Sequence, residues 1–417
     1  MAADMDYKTQ LTETIRQEMI RKHSDVFLKL TDPLNNKINE AAYEEAAELI
    51  RREINAGGAD IDRDAQDYVI ARIIGLGVVD VLLKDTDIAE IMINAKDEIY
   101  IDRIGSKKPV KTGLAYETDD ELMNLCFRIT QRCGRKVNYS SPLVTARLPD
   151  GSRVTITFPP SSPNPTITIR RYPKHIFPTS ELLANNFLSE EMVKFFETVV
   201  KGKLNIIVCG GTRTGKTTFI RWLAEFIPES ERVITLEETR ELALARPHCI
   251  SLEASPKASI YELMLAVLHM RPDRIILGEI LGAESLEFLN AAGTGHEGSI
   301  SSVHTSSYYK EAAINRMVRA MAQAKVVAPE DLRAMIAETV DLLVFIKRSD
   351  GAHHIVNVCQ VQSVNGEPQF HDIFTFRKKE GVHHQVGRLT PELIARLEDN
   401  IFPEEIPDIP SLGGDQS

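Results

Sequence analysis

Residues 204–223, LNIIVCGGTRTGKTTFIRWL, constrain the fold more than any other part of this 417-residue chain. A short apolar run of strand length ends in paired glycines, and a helical periodicity opens just beyond them at Phe219, Ile220 and Leu223, continuing to Phe226 and Ile227. Between them, Gly210, Gly211, Thr212, Arg213, Thr214, Gly215, Lys216 and Thr217 satisfy the pattern G-x-x-x-x-G-K-[ST]. The glycines let backbone amides turn inward around phosphate oxygens, and the new helix adds its positive end. Lys216 supplies a point charge for the β- and γ-phosphates, and the Thr217 hydroxyl suits Mg²⁺. A strand–loop–helix of this kind belongs in an α/β domain built on a mainly parallel sheet, and a nucleotide is the expected ligand.

The rest of the C-terminal half agrees. The segments RVITL (232–236), DRIILGE (273–279), SISSVHT (299–305) and VDLLVFI (340–346) read as buried strands separated by helix-length stretches. Ligands in such sheets gather outside the carboxyl ends of the strands. Glu279 directly after one strand, and Glu237 and Glu238 just past another, are therefore candidates to organise magnesium or water. Asp273 precedes its strand, at the opposite end, and reads as a cap. His296 and His304 bracket a further strand.

Toward the N-terminus the texture changes. Residues 1–62 are charged with apolar positions at helical spacing, as in AAYEEAAELIRREI, and read as a helical region. Residues 63–178 contain paired strand-like alternations and the hairpin signal ARLPDGSRVTITFPP, so a mixed α+β domain is expected there. Residues 179–400 form the expected nucleotide domain, and 401–417 read as a disordered tail. The formal charge of −11, from 49 basic and 60 acidic residues, argues against nucleic acid as a partner. The five cysteines have no CxxC spacing, which points to neither zinc nor a disulfide framework. The opening MAADMDYKTQ does not read as a secretory signal, and no run of eighteen apolar residues occurs, so a cytoplasmic location is expected.

Together these segments resemble the ATPases of type II and type IV secretion systems, and most nearly the CpaF/TadA-type ATPase of tight-adherence (Flp) pili. The resemblance spans residues 65–377. GGTRTGKTT matches its Walker A, ITLEETREL its Asp box, MRPDRIILGEI its atypical Walker B and GTGHEGSISSVHT its His box, while GLGVVDVLLKDTDIAEIMIN and TITIRRYP match its N-terminal domain. The resemblance implies a RecA-like P-loop NTPase core, a homo-hexameric ring using ATP and Mg²⁺, and inner-membrane platform proteins of a pilus or secretion system as partners, with the protein peripheral to the inner face of the cell membrane. It also implies that residues 210–218, Thr218 included, bind the nucleotide and that Thr217 and Glu279 serve the metal. Glu237, Glu238, His296 and His304 join them in catalysis, and Arg147, Arg153 or Arg170 of the N-terminal domain approaches the nucleotide.

Two positions depart from the family pattern. Glu238 stands where an aspartate is usual, and Leu281 stands where an arginine commonly follows the Walker B glutamate by two residues. Three other readings stay open: a type IV secretion or conjugation ATPase, a nucleotide-switched scaffold with little turnover, and, against the acidic balance, a DNA helicase.

Overall fold

The structure is a computed structural model describing residues 2–30, 40–58, 61–104, 106, 108–148, 150–171, 177–255, 257–305, 309–349 and 352–401. The C-terminal stretch expected to be disordered lies, from 402 onward, outside the described residues. The chain forms two compact units, Met1–Tyr172 and Pro173–Ser417.

In the first unit, helices α1 (Ala2–Lys29), α2 (Glu40–Ala56) and α3 (Arg63–Ile73) bury Met19, Ile50, Ile54 and Val69 in one small core. Asp62 caps α3 by accepting from the Ala65 amide at 2.8 Å. There follow α4 (Val78–Lys84), β1 (Ile88–Ala95), β2 (Glu98–Arg103), β3 (Val110–Lys111), α5 (Asp119–Arg132), β4 (Leu143–Arg147), β5 (Arg153–Thr157) and β6 (Thr166–Arg170). The six strands make one antiparallel sheet ordered β3-β2-β1-β6-β5-β4. Period-2 alternation turns Ile91, Ile93, Val154, Ile156, Ile167 and Ile169 onto the face covered by Leu122, Leu125 and Ile129 of α5. The β4–β5 hairpin turns at Asp150-Gly151, where Gly151 takes φ +89°. Buried Arg72 of α3 clasps Glu121 of α5 at 2.5 and 2.7 Å, tying the helical region to the sheet region within this unit.

The second unit contains α6 (Thr179–Ala184), α7 (Glu190–Lys201), β7 (Ile206–Gly210), α8 (Lys216–Ala224), β8 (Val233–Glu237), β9 (Cys249–Glu253), α9 (Ile260–Val267), β10 (Arg274–Leu277), α10 (Glu284–Gly293) and β11 (Ile300–His304). It ends with α11 (Lys310–Met321), α12 (Pro329–Thr339), β12 (Leu342–Ser349), β13 (Ala352–Val364), β14 (Glu367–Arg377), β15 (Val382–Gln385) and α13 (Pro391–Asn400). Nine strands run in the order β15-β14-β13-β12-β7-β11-β10-β8-β9. Strands β12 through β9 in that order pair in parallel, and β12 through β15 pair antiparallel. The fold is α/β, a RecA-like P-loop core with an N-terminal mixed α+β domain and an N-terminal helical region.

The central strands are apolar on both faces because helices cover both. Val208, Phe219, Phe196 and Trp222 belong to the core under α7 and α8, whereas Cys209, Leu236, Phe288 and Met317 belong to the core under α9 to α12. All five strands expected in this half are present. Strand β9 and the antiparallel extension β13–β15 were not foreseen individually.

Candidate nucleotide site

Strand β7 delivers Gly210 between two neighbours, His304 at the end of β11 and Ile346 of β12, both directly opposite it. A Cβ at Gly210 would lie 2.6 Å from Thr214 Oγ1 and 2.7 Å from the Ile346 carbonyl oxygen, so this position admits only glycine. Gly211 is different, since a Cβ there would meet only an ordinary contact at 3.7 Å. The loop closes through Thr214, whose hydroxyl donates to the Gly211 carbonyl at 3.0 Å. It enters α8 through Gly215 at φ +96°, a left-handed conformation that suits glycine.

The Lys216 ammonium folds over the loop and donates to the carbonyls of Gly210 and Gly211 at 3.0 and 2.9 Å. Half-buried Thr217 and Thr218 follow in the first turn of α8. That turn carries no acidic residue, and Gly215 gives no side-chain cap, so the helix start is left electropositive.

The acid at the end of β8 is strongly perturbed. Glu237 is 4% exposed. Its Oε1 accepts from the amides of Glu241 and Leu242 at 2.8 and 2.9 Å. Its Oε2 is buried and has no hydrogen-bond partner among the described residues. Burial pushes the carboxyl up to about 7, against the opposing pull of those two amides.

Parallel pairing of Leu236 with Leu277 brings Gly278 alongside Glu237. A Cβ on Gly278 would lie 3.1 Å from Glu237 Cγ, so the glycine makes room for the buried acid. The next residue is half-buried Glu279. Its backbone is clamped on both sides: Gly278 N–H donates to the Leu236 carbonyl at 2.8 Å, and Ile280 N–H donates to that of Ser302 at 2.8 Å. Glu237 and Glu279 are therefore neighbours across adjacent strands. Glu238, read from sequence as their equal, is exposed.

The two histidines part company. His304 ends β11 beside Gly210, and the following amide, Thr305, donates to the Gly210 carbonyl at 3.1 Å. His296 lies before β11, with Nδ1 3.0 Å from the carbonyl oxygen of Pro272, just ahead of β10. At ~3.3 Å per residue, β11 alone sets the two about 13 Å apart along the sheet. Within one chain, His296 thus stands at the end of the sheet opposite the phosphate loop. Asp273 is at that same end and accepts from the Arg232 amide at 2.7 Å.

A residue missed in the sequence also sits there. Arg274 is fully buried, with Nε donating to Glu231 at 2.5 Å and Nη1 pressed against Gly298, where a Cβ would lie only 1.8 Å away. The glycine two residues after His296 is the sequence signal for this arginine.

In the first unit, Arg147, Arg153 and Arg170 stand in one cross-strand row. Arg153 is directly opposite both of the others, and Glu90 continues the row beyond Arg170. Directly opposed residues share a face, and like charges so placed repel. At the position of the missing arginine, Leu281 is 40% exposed, and the backbone there is pinned by Glu284, which accepts from Gly282 N–H at 2.7 Å.

These residues fit a magnesium nucleotide. The loop offers a cation and an open helix start, Thr217 offers a hydroxyl, and Glu279 and Glu237 offer carboxylates at adjacent strand ends. Among the described residues no group of three or more His, Cys, Asp or Glu side chains could hold a metal by itself, so an ion here would share its coordination with phosphate and water.

Fold and site together define a P-loop nucleotide-binding protein of RecA-like architecture. The family model described as Type II/IV secretion system protein matches residues 74–375, and the chain belongs to that family of secretion ATPases. It is 32% identical over 303 residues to the type IV secretion system protein PtlH of Bordetella pertussis, covering 64% of this chain and 88% of that one. It is 27% identical over 287 residues to a probable conjugal transfer protein TrbB of Sinorhizobium fredii, covering 68% and 86%. Among solved structures, the Yersinia pseudotuberculosis ATPase DotB aligns over 84% of each chain at 15% identity with a TM-score of 0.51, a likeness of fold. Among the described residues no helix is long and apolar enough to cross a membrane.

Proposed function

We propose that this protein is an ATP-hydrolysing hexameric motor that drives assembly of a type IV-like, tight-adherence (Flp) pilus or a related secretion apparatus, working at the inner face of the cell membrane against inner-membrane platform proteins. The observation that carries the reading is the buried Glu237 beside Gly278 and Glu279, across the strand ends from the Lys216 loop. Lys216 leaves the loop carbonyls to meet the β- and γ-phosphates, and the α8 amides hold the same oxygens. Thr217 would hold Mg²⁺ with Glu279 in its shell, and the ion would supply positive charge to the phosphate oxygens. Glu237, with one oxygen anchored by two amides and the other free of partners, orients the attacking water and accepts its proton. His304, at the end of β11, takes the γ-phosphate side of the loop.

Phosphoryl transfer gains from a further cation, and Leu281 leaves the core without one arginine. In a ring, the Arg147–Arg153–Arg170 row of one subunit is presented to the nucleotide of its neighbour, and His296 acts in holding the far end of the sheet. Mixing Lys216→Ala subunits with subunits lacking all three arginines tests this. Each variant alone is inactive, and mixed rings regain turnover where an intact loop meets an intact row. No regain in rings confirmed by mass would overturn action in trans.

A second reading, a type IV secretion or conjugation ATPase, is favoured by the likeness to the type IV secretion system protein PtlH and the conjugal transfer protein TrbB. The likeness to the Flp-pilus ATPases rests on the motifs and on the long helical region before the matched residues. A nucleotide-switched scaffold with little turnover is separated from both by a turnover assay.

A further inference from the structure

Strands β13 and β14 pair from Asn357 opposite Thr375 down to their hairpin, and then part. Beyond that point the first residues of β13 stay with β12, while the end of β14 goes with β15. The fork encloses a cleft of roughly 780 Å³, within the range of sites that hold small molecules.

Its walls are fixed. Asn186 bridges the fork, donating from its side chain to the Gly381 carbonyl at 2.6 Å and sharing its own carbonyl with His354 Nδ1 at 2.8 Å. The His354 ring stacks on Phe376 with centroids 4.3 Å apart and planes 12° apart.

Among the described residues that line the cleft, Lys310, Lys347 and Lys378 outnumber one carboxylate, Asp372. Asp372 is already engaged, accepting from Lys310 at 2.6 Å and from the Asn357 amide at 2.7 Å. Helix α11, twelve residues long, starts at Lys310 on the rim, and Tyr309 gives it no side-chain cap. The acid in its first turn, Glu311, is drawn off to Arg333 at 3.1 Å.

This is not the phosphate loop. Ile346 and Ile355 belong to the core under α8, and Lys347 and His354 alternate with them along paired strands, facing the other side of the sheet. We propose that the cleft is a second anion site, taking a phosphorylated small molecule of nucleotide size. Lysines serve phosphate as point charges, and the helix start adds a fixed positive end.

The test is calorimetric titration of the full chain carrying Lys216→Ala, which disables the phosphate loop, with AMP and with inorganic pyrophosphate. Binding with a Kd below about 1 mM is expected to remain for at least one of them. Adding Lys347→Ala and Lys378→Ala weakens it about tenfold, through the loss of two exposed charges. Adding Asp372→Asn instead tightens it, a gain that misfolding cannot produce. A preference for AMP identifies a nucleotide-like ligand, and a preference for pyrophosphate a bare phosphate source. Absence of binding in Lys216→Ala, or binding unmoved by both the lysine pair and Asp372→Asn, overturns the proposal.

Discussion

Glu237→Gln is expected to lose turnover and yet to gain stability relative to the parent as pH rises. Burial raises the folded carboxyl to about 7 from an ordinary 4.5. The folded state therefore keeps a proton that the unfolded chain gives up. The stability linked to that proton is full below pH 4.5 and is lost as pH rises through 7. At 1.36 kcal/mol per unit, the whole shift amounts to about 3 kcal/mol, of which roughly 2.5 falls between pH 5 and pH 8. Glutamine carries no such term, and its side-chain oxygen can still accept from Glu241 and Leu242. Its amide nitrogen takes the place of the partnerless Oε2 at a cost of ~1–3 kcal/mol, but that cost is the same at both pH values and cancels in the difference. Trp222 is the only tryptophan and is buried in the nucleotide unit, so its fluorescence in denaturant follows that unit alone. The variant-minus-parent stability should be about 2–3 kcal/mol more favourable at pH 8 than at pH 5. An equal difference at the two pH values would mean that Glu237 is an ordinary ionised carboxylate, and the proton-accepting role would fall with it.

Lys216→Ala removes the phosphate-loop charge that meets the β- and γ-phosphates, and steady-state ATP turnover should drop by about a hundredfold or more. Gly278→Ala forces a methyl group against Glu237 Cγ. Turnover is expected to fall about tenfold with nucleotide affinity nearly unchanged, as seen in kcat against KM. The histidines should separate: His304→Ala lowers turnover strongly, whereas His296→Ala acts mainly on thermal stability through the lost Pro272 contact. Comparable losses of turnover from both would place His296 at a nucleotide after all.

The phosphate loop was legible because everything it needs is local. The glycine spacing, the apolar strand before it and the helical period after it fall within some twenty residues. The α+β texture and the Asp150-Gly151 hairpin were legible for the same reason, and Arg147 and Arg153 sit symmetrically about that turn. What eluded the sequence depends on strands distant in the chain. Nothing in ITLEETREL indicates that Gly278 would make room for Glu237, or that Glu238 would be left exposed; parallel register between β8 and β10 decides both. Strand polarity did allow His296 to be placed, since a residue before a parallel strand lies at the far end from the phosphates. Asp273, which also precedes its strand, lies at that end for the same reason. Arg274 and Gly298 form a buried contact between two strands, visible only once β10 and β11 lie side by side. Strands β13–β15 mix polar and apolar residues without the apolar runs of the central strands, because an extension at the sheet edge keeps part of each face near solvent.

Phosphate release from Mg²⁺-ATP by the parent and by Glu279→Gln tests the central claim most directly. The parent should hydrolyse ATP only with Mg²⁺ present, and more per subunit as concentration rises and rings form. Glu279→Gln should bind ATP as the parent does and release phosphate at least about a hundredfold more slowly. Equal phosphate release by the two proteins, or none from the assembled parent, would contradict the account.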